Sequence, residues 1–354
     1  MTRAVIVGSG SYVPPNRVTN EMLSRIMDAT DEWIRERSGV ETRYYVDEGT
    51  STSDLGVAAA VEALKAAGIE KNDLDLIVFA TMTPDHYFPG CGGMLQHKLG
   101  LRDVPCFDIR QQCAGFLYGL QLVDAQIRAG MAKTVLLVAA ETHTGFMPWT
   151  TENYNYLYGR TDRAPTPEEY EWNTRFRNVT VLFGDAAAAV VVKAVQNGDS
   201  GILDCILRTN GSDYDRIYVP GAGFKHRPYV DREQIERGDH IPVMNGMHVF
   251  RNATNCMASV TREILERNNL TLEDISLVLM HQANKRINER VQKMLGIPEE
   301  KVIHNIHKYG NTTAATIPLL WDESIRTGRV RPGDLVLMVA FGAGMNWGSL
   351  LLRA

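Results

Sequence analysis

At 354 residues, with 44% hydrophobic and 22% charged side chains, the chain has the composition of a soluble globular protein and room for two domains of ordinary size. Its net charge of −5 offers no basic face for nucleic acid. No apolar run reaches the roughly 20 residues of a membrane span, and the N-terminus MTRAVIVGSG has no signal-peptide pattern.

The first apolar run, Ala4 to Val7, reads as a strand ending in Gly8-Ser9-Gly10. A GxG after a strand opens a dinucleotide fingerprint, but the third glycine is missing and Pro14-Pro15 block the helix that should follow. A plain strand and turn is the simpler expectation. A helical stretch from about Asn20 to Arg37 comes next, with Asn20 as its cap. Ser53 or Asp54 is placed to cap a further helix that runs to about Ala67 and stops at Gly68. Ile77 to Ala80, Val135 to Ala140, Ala186 to Val192, Leu277 to Met280 and Leu335 to Ala340 are apolar without alternation. Such strands are buried on both faces, and helices between them point to crossovers and mostly parallel sheets. Phe146 to Phe176 is polar and aromatic and has no counterpart after Ala340. It reads as an insertion: a lid, a dimer contact or a surface elaboration. Five cysteines, at 91, 106, 113, 205 and 256, form no CxxC pair and no zinc spacing. That usage suits a reducing compartment and predicts the cytoplasm.

Two stretches share one layout. Cys113 to Gly130 and Asn311 to Gly328, 198 positions apart, both end in Ile-Arg-x-Gly and lead into an apolar run. Glu62 to Thr81 likewise matches Glu263 to Gln282 at an offset of 201. The period is too long for a solenoid, so a duplicated α/β unit is expected. The polar cluster from Gln196 to Gly201 marks the junction, giving halves 1–197 and 198–354. The match also predicts Cys113 and Asn311 at equivalent places in the two halves.

Cys113 opens an amphipathic helix on which Phe116, Leu120, Val123 and Ile127 share a face. Unpaired N–H groups and the helix dipole there favour the thiolate; a buried structural cysteine is the alternative. His281 follows the strand Leu277 to Met280, where the active-site crevice of a parallel sheet lies, although a structural histidine fits as well. Asn311, in Tyr309-Gly-Asn-Thr-Thr313, is either an ordinary N-cap or a group facing Cys113 across a pseudo-twofold axis. Pro318 should kink the helix after Asn311 or delay its start. Phe341-Gly-Ala-Gly344 follows a strand, and its N–H groups can face an oxyanion or simply form a hairpin turn.

Taken together, Cys113-Ala-Gly-Phe116, His281-Gln-Ala-Asn284, Tyr309-Gly-Asn-Thr312 and Phe341-Gly-Ala-Gly…Trp347-Gly-Ser349 resemble the β-ketoacyl-acyl-carrier-protein synthase III family of the thiolase superfamily. The likeness covers nearly the whole chain outside 146–176. It implies a five-layered αβαβα thiolase fold of two duplicated halves, a homodimer, and a decarboxylating Claisen condensation of an acyl-CoA with malonyl-acyl carrier protein. Neither a metal nor a cofactor is implied, since CoA and the carrier's phosphopantetheine arrive as substrates. Cys113 matches the acyl-carrying nucleophile, His281 and Asn311 the pair that binds the malonyl thioester carbonyl, and the N–H groups of Cys113 and Ala343 the oxyanion hole. Trp33, Arg37 and Arg177 match CoA contacts, the first and last as a stacked pair. Phe88 matches a residue that closes the partner's acyl pocket, and Arg286 a carrier-docking position.

The polar Arg110-Gln-Gln112 before the cysteine and the insertion depart from the family's pattern and leave the acyl donor open. Two other readings remain on the sequence. One is a related acyltransferase or condensing enzyme of secondary metabolism with the same three residues. The other is a non-catalytic partner subunit, which the presence of Cys113 opposes.

Overall fold

The computed structural model describes residues 2–354. Its frame is two sheets with the same strand order. In the first, Thr2–Tyr12, Ala186–Gln196, Thr134–Glu141, Leu76–Ala80 and Cys106–Ile109 lie side by side in that order. In the second the order is Gly201–Thr209, Asn346–Arg353, Leu335–Gly342 and Leu277–Met280. Val302 bridges Val278 in parallel, at the place that Cys106–Ile109 holds in the first sheet. The sheets are mixed rather than mostly parallel. Only the pairs made by Leu76–Ala80, and the pair of Leu277–Met280 with Leu335–Gly342, are parallel. The reason is local: a three-residue turn joins Leu335–Gly342 to Asn346–Arg353, which forces antiparallel pairing.

Helices fill three layers around these sheets. Thr52–Ala67 covers the outside of the first sheet, where Leu55, Ala59 and Ala63 pack with Ile77, Phe79 and Val191. Gly115–Arg128 and Thr316–Arg326 lie between the sheets, in a core shared by Val78, Leu137, Leu279 and Met338. Gly246–Arg267 covers the outside of the second sheet through Met257, Val260 and Ile264. Ile77 and Phe79 thus face one layer and Val78 and Ala80 the other, as strands apolar on both faces require. This is the five-layered αβαβα thiolase arrangement.

Several local expectations are corrected. The first strand does not stop before Gly8-Ser9-Gly10 but runs through it to Tyr12. A Cβ at Gly10 would lie 2.4 Å from the backbone nitrogen of Ala63, and one at Gly8 2.5 Å from that of Ala67. These glycines let a helix lie close on the strand, which gives them a packing role. The stretch 20–37 is two helices, Asn20–Ser24 and Asp31–Ser38, capped by Thr19 and Thr30. Asn20 instead bonds Asp31, the Val40 carbonyl and Arg43 in the interior. Ser51, earlier than Ser53 or Asp54, caps Thr52–Ala67, with Asp54 closing the capping box; Gly68 ends that helix at a φ of 62°.

The equivalence of Cys113 and Asn311 also fails. Each central helix follows a one-turn 3-10 segment, Gln112–Ala114 or Thr313–Ala315, led by a left-handed residue, Gln112 at φ 45° or Thr313 at φ 49°. By backbone, Cys113 therefore corresponds to Ala314, and Asn311 lies three residues earlier. The second helix has 11 residues against 14, so its Ile-Arg-x-Gly end keeps the shorter offset while its head follows the offset of the strands. Pro318 sits in the first turn of the shortened helix, where a missing N–H costs nothing.

The insertion is folded onto the N-terminal half. Its helices Thr151–Leu157 and Pro167–Arg175 pin themselves through Asn173, which donates to the Ile26 carbonyl (3.1 Å) and to Asn153 (2.6 Å). Trp149 and Leu157 join an apolar cluster with Ile26, Met27 and Tyr45. Among the described residues no helix is long and apolar enough to cross a membrane.

Candidate active site

Cys113 stands in the 3-10 turn at the head of Gly115–Arg128, half-buried and opening into a cavity of about 500 Å³. The turn after Leu335–Gly342 presses against it. A Cβ at Gly342 would come within 2.8 Å of the Cys113 Cβ, so only glycine permits this approach. The N–H groups of Cys113 and Ala343 are near enough to the thiol sulfur to favour its charged form. Burial nonetheless pushes the thiol up to about 12, with the Glu141 carboxylate adding to the rise and the two N–H groups opposing it. Cys113 therefore rests as a thiol, not the thiolate that a helix start alone suggests.

Glu141 was not singled out in the sequence, although a charged residue closing the apolar run from Val135 is a visible signal. It is fully buried. It accepts from Thr83 Oγ1 (2.6 Å), Thr81 Oγ1 (3.1 Å) and the Met82 and Thr83 N–H groups, and at 3.5 Å from the Ala314 N–H of the other half. Burial outweighs these donors and lifts its carboxyl to about 7.

His281 follows Leu277–Met280, and its backbone N–H donates to the Val339 carbonyl (2.9 Å), which fixes the residue at the strand end. Its Nδ1 lies 2.6 Å from Thr316 Oγ1. Its Nε2 is buried with no hydrogen-bond partner among the described residues. Burial lowers the ring to about 3, so the imidazole is neutral. Asn311 is held by its main chain, which donates to the Leu182 carbonyl (2.8 Å) and accepts from the Gly184 N–H (3.1 Å). Its Oδ1 accepts the Thr313 N–H at 2.9 Å, an Asx turn rather than a helix cap. That leaves the amide Nδ2 as the group available to the cavity.

Cys113, His281, Asn311 and Ala343 line one space, walled by Phe183, Met244, Phe250, Met257 and Phe341. At its rim stand Arg37, Asn284 and Arg286, and Asn284 Nδ2 donates to the Arg37 carbonyl at 2.7 Å. The guanidiniums of Arg37 and Arg177 lie 4.6 and 5.1 Å from the Trp33 ring. Arg177, which the insertion separates from the preceding motifs, is therefore brought to that tryptophan, and it is ion-paired with Asp28. Phe88 is not brought into this space; it is 77% exposed on a surface loop. Among the described residues no group of three or more His, Cys, Asp or Glu side chains is placed to hold a metal ion.

Such a cavity can polarise two carbonyls around one sulfur, and known proteins resemble the chain that forms it. The family profile described as 3-oxoacyl-[acyl-carrier-protein] synthase III matches residues 107–161 and 169–211, and the one for its C terminal matches 265–354. A β-ketoacyl-[acyl-carrier-protein] synthase III of Rhizorhabdus wittichii is 39% identical over 353 residues, covering 100% of both chains. The crystal structure of the synthase III from Aquifex aeolicus superposes with a TM-score of 0.83 at 36% identity, covering 99% of this chain and 100% of that one. The priming β-ketosynthase of the R1128 polyketide pathway gives 0.84 at 30% identity, covering 99% and 96%. By sequence profile, full-length identity and fold alike, the chain belongs to the 3-oxoacyl-[acyl-carrier-protein] synthase III family.

Proposed function

We propose that this chain condenses an acyl-CoA primer with malonyl-acyl carrier protein, releasing CO2 and giving the 3-oxoacyl thioester that begins fatty-acid synthesis. The observation that carries this is the convergence of Cys113, His281 and Asn311, from three separate elements, on one cavity beside the N–H groups of Cys113 and Ala343. Cys113 Sγ attacks the acyl-CoA carbonyl. The oxyanion is met by those two N–H groups, the bond to the CoA sulfur breaks, and CoA leaves as the thiol. The malonyl thioester oxygen then lies between His281 and Asn311. The bond to the carboxylate breaks, its electron pair becomes the enolate, and that carbon attacks the acyl-Cys carbonyl. The new C–C bond forms as the Cys113 thiolate departs and takes up a proton. Charge develops at two oxygens, and fixed donors wait at both.

The Trp33, Arg37 and Arg177 stack at the rim is the CoA contact, and Arg286 on the exposed face of Lys285–Leu295 meets the acidic carrier, a contact that the KM for carrier-bound malonate reads. Exposed Phe88 closes the acyl pocket of a second copy. The halves 1–197 and 198–354 are the duplicated units, the cytoplasm is the compartment, and neither metal nor cofactor is required. Similarity to a polyketide priming synthase favours a second reading, in which the same chemistry primes secondary metabolism with an unusual acyl group. Incubation with acyl-CoAs of several lengths plus malonyl-carrier separates these. Intact mass should show one acyl group on wild type and none on Cys113→Ala, with CO2 released only by the acylated protein under condensation. Acylation with no CO2 from any donor would overturn the condensation and leave a plain acyltransferase.

A further inference from the structure

A chain of two hydrogen bonds behind His281 determines which of its nitrogens carries the proton. Thr316 is buried in the first turn of its helix. Its Oγ1 donates to the Thr313 carbonyl at 2.5 Å, the back-bond that a helical threonine makes one turn down. A hydroxyl has a single proton, and a carbonyl can only accept, so that proton is spent on Thr313. Towards His281 Nδ1, 2.6 Å away, Thr316 Oγ1 can then act only as acceptor, and Nδ1 must be the donor.

We infer that Thr316 is a positioning residue that holds His281 as the Nδ1–H tautomer, so that Nε2 meets the cavity as a bare proton acceptor. The buried, partnerless Nε2 is the counterpart of that assignment. The inference rests on the function proposed above and deepens it. During acylation the Cys113 S–H proton passes to Nε2 as sulfur bonds the acyl carbon. The same proton then goes to the departing CoA sulfur, and His281 is neutral again. Condensation consumes one proton overall, because a carboxylate leaves as CO2 and a thiolate must be quenched. The enolate oxygen is met by the Asn311 Nδ2 donor, and the proton taken from solvent ends on Cys113 Sγ, so the ring stays neutral throughout condensation. In both halves Nδ1 keeps its proton and its bond to Thr316, so the ring does not have to turn. This is the logic of a base oriented by a third group, with a neutral hydroxyl and a carbonyl in the orienting place.

Nitrogen NMR of histidine-labelled protein reads the tautomer directly, with the His281 signals identified by their loss in His281→Ala. The Nδ1–H form is expected in wild type and in Thr316→Ser, and a shift toward Nε2–H in Thr316→Val, which keeps the side-chain volume. The acylation rate should fall about a hundredfold in Thr316→Val, with KM for acyl-CoA little changed, and recover to within severalfold in Thr316→Ser. Wild-type rates in Thr316→Val, or no rescue by serine, would overturn the inference. An Nε2–H tautomer in a protein that acylates normally would overturn it alone. An Nδ1–H tautomer in a protein that no acyl-CoA acylates would overturn the role of His281 toward Cys113 together with the proposed function.

Discussion

Cys113 shows how far a motif and its environment can diverge. Its position before a helix was legible, and the resemblance supplied the role proposed for it. Its protonation state was not, because burial and the neighbouring Glu141 come from segments far apart in the chain. The thiol lies near 12, so the thiolate fraction grows about tenfold per pH unit throughout the accessible range. Alkylation of Cys113 by iodoacetamide, followed by peptide mass, should rise with pH from 7 to 10 with no plateau. A plateau below about pH 8 would show a thiolate already formed at rest and contradict the effect of burial and Glu141 on the thiol. Glu141 and Thr316 stayed hidden for one reason: each acts by where it is buried, and no motif spacing encodes that.

Among the elements, periodicity and breakers located the apolar strands and the helices ending at Ala67 and opening after Cys113, but they missed Gly246–Arg267 and failed where two elements meet. Gly8 and Gly10 resembled half a nucleotide loop because a sequence does not show that a helix backbone lies 2.4 Å from where a Cβ would be. The ungapped match of Cys113 with Asn311 crossed a lost helical turn, which only the left-handed residues Gln112 and Thr313 reveal. Strand direction was misjudged because burial on both faces arises in these antiparallel pairs too. The strand Cys106–Ile109 ends its sheet with a free edge among the described residues; Phe107 on it is 44% exposed, and Phe88 is 77% exposed. An unpaired edge with exposed aromatics is a pairing template. Sedimentation should therefore give twice the 39.5 kDa chain mass, and Phe88→Asp should shift it toward the monomer. A wild-type monomer at micromolar concentration would contradict the second copy.

In the whole molecule, the paired sheets explain why one crevice can do two jobs. The two central helices start face to face: a Cβ on Gly115 would lie 3.3 Å from the Ala314 side chain. The first half brings the thiol to that meeting point. The second brings Asn311 and, at its strand end, His281, where the first half has Ala80. The five-layered plan was legible through the resemblance and the repeat. The asymmetry that makes it work lies in three residues lost and a few side chains changed. If the halves divide the labour in this way, removing the second half's donor should spare acylation and stop decarboxylation. The direct measurement is intact mass and CO2 release on the same sample of Asn311→Ala with acyl-CoA and malonyl-carrier. The expected result is a full acyl adduct on Cys113 with CO2 release down about a hundredfold or more, the usual loss for one oxyanion donor. Acylation and CO2 release falling together, or CO2 release continuing at the wild-type rate, would contradict it.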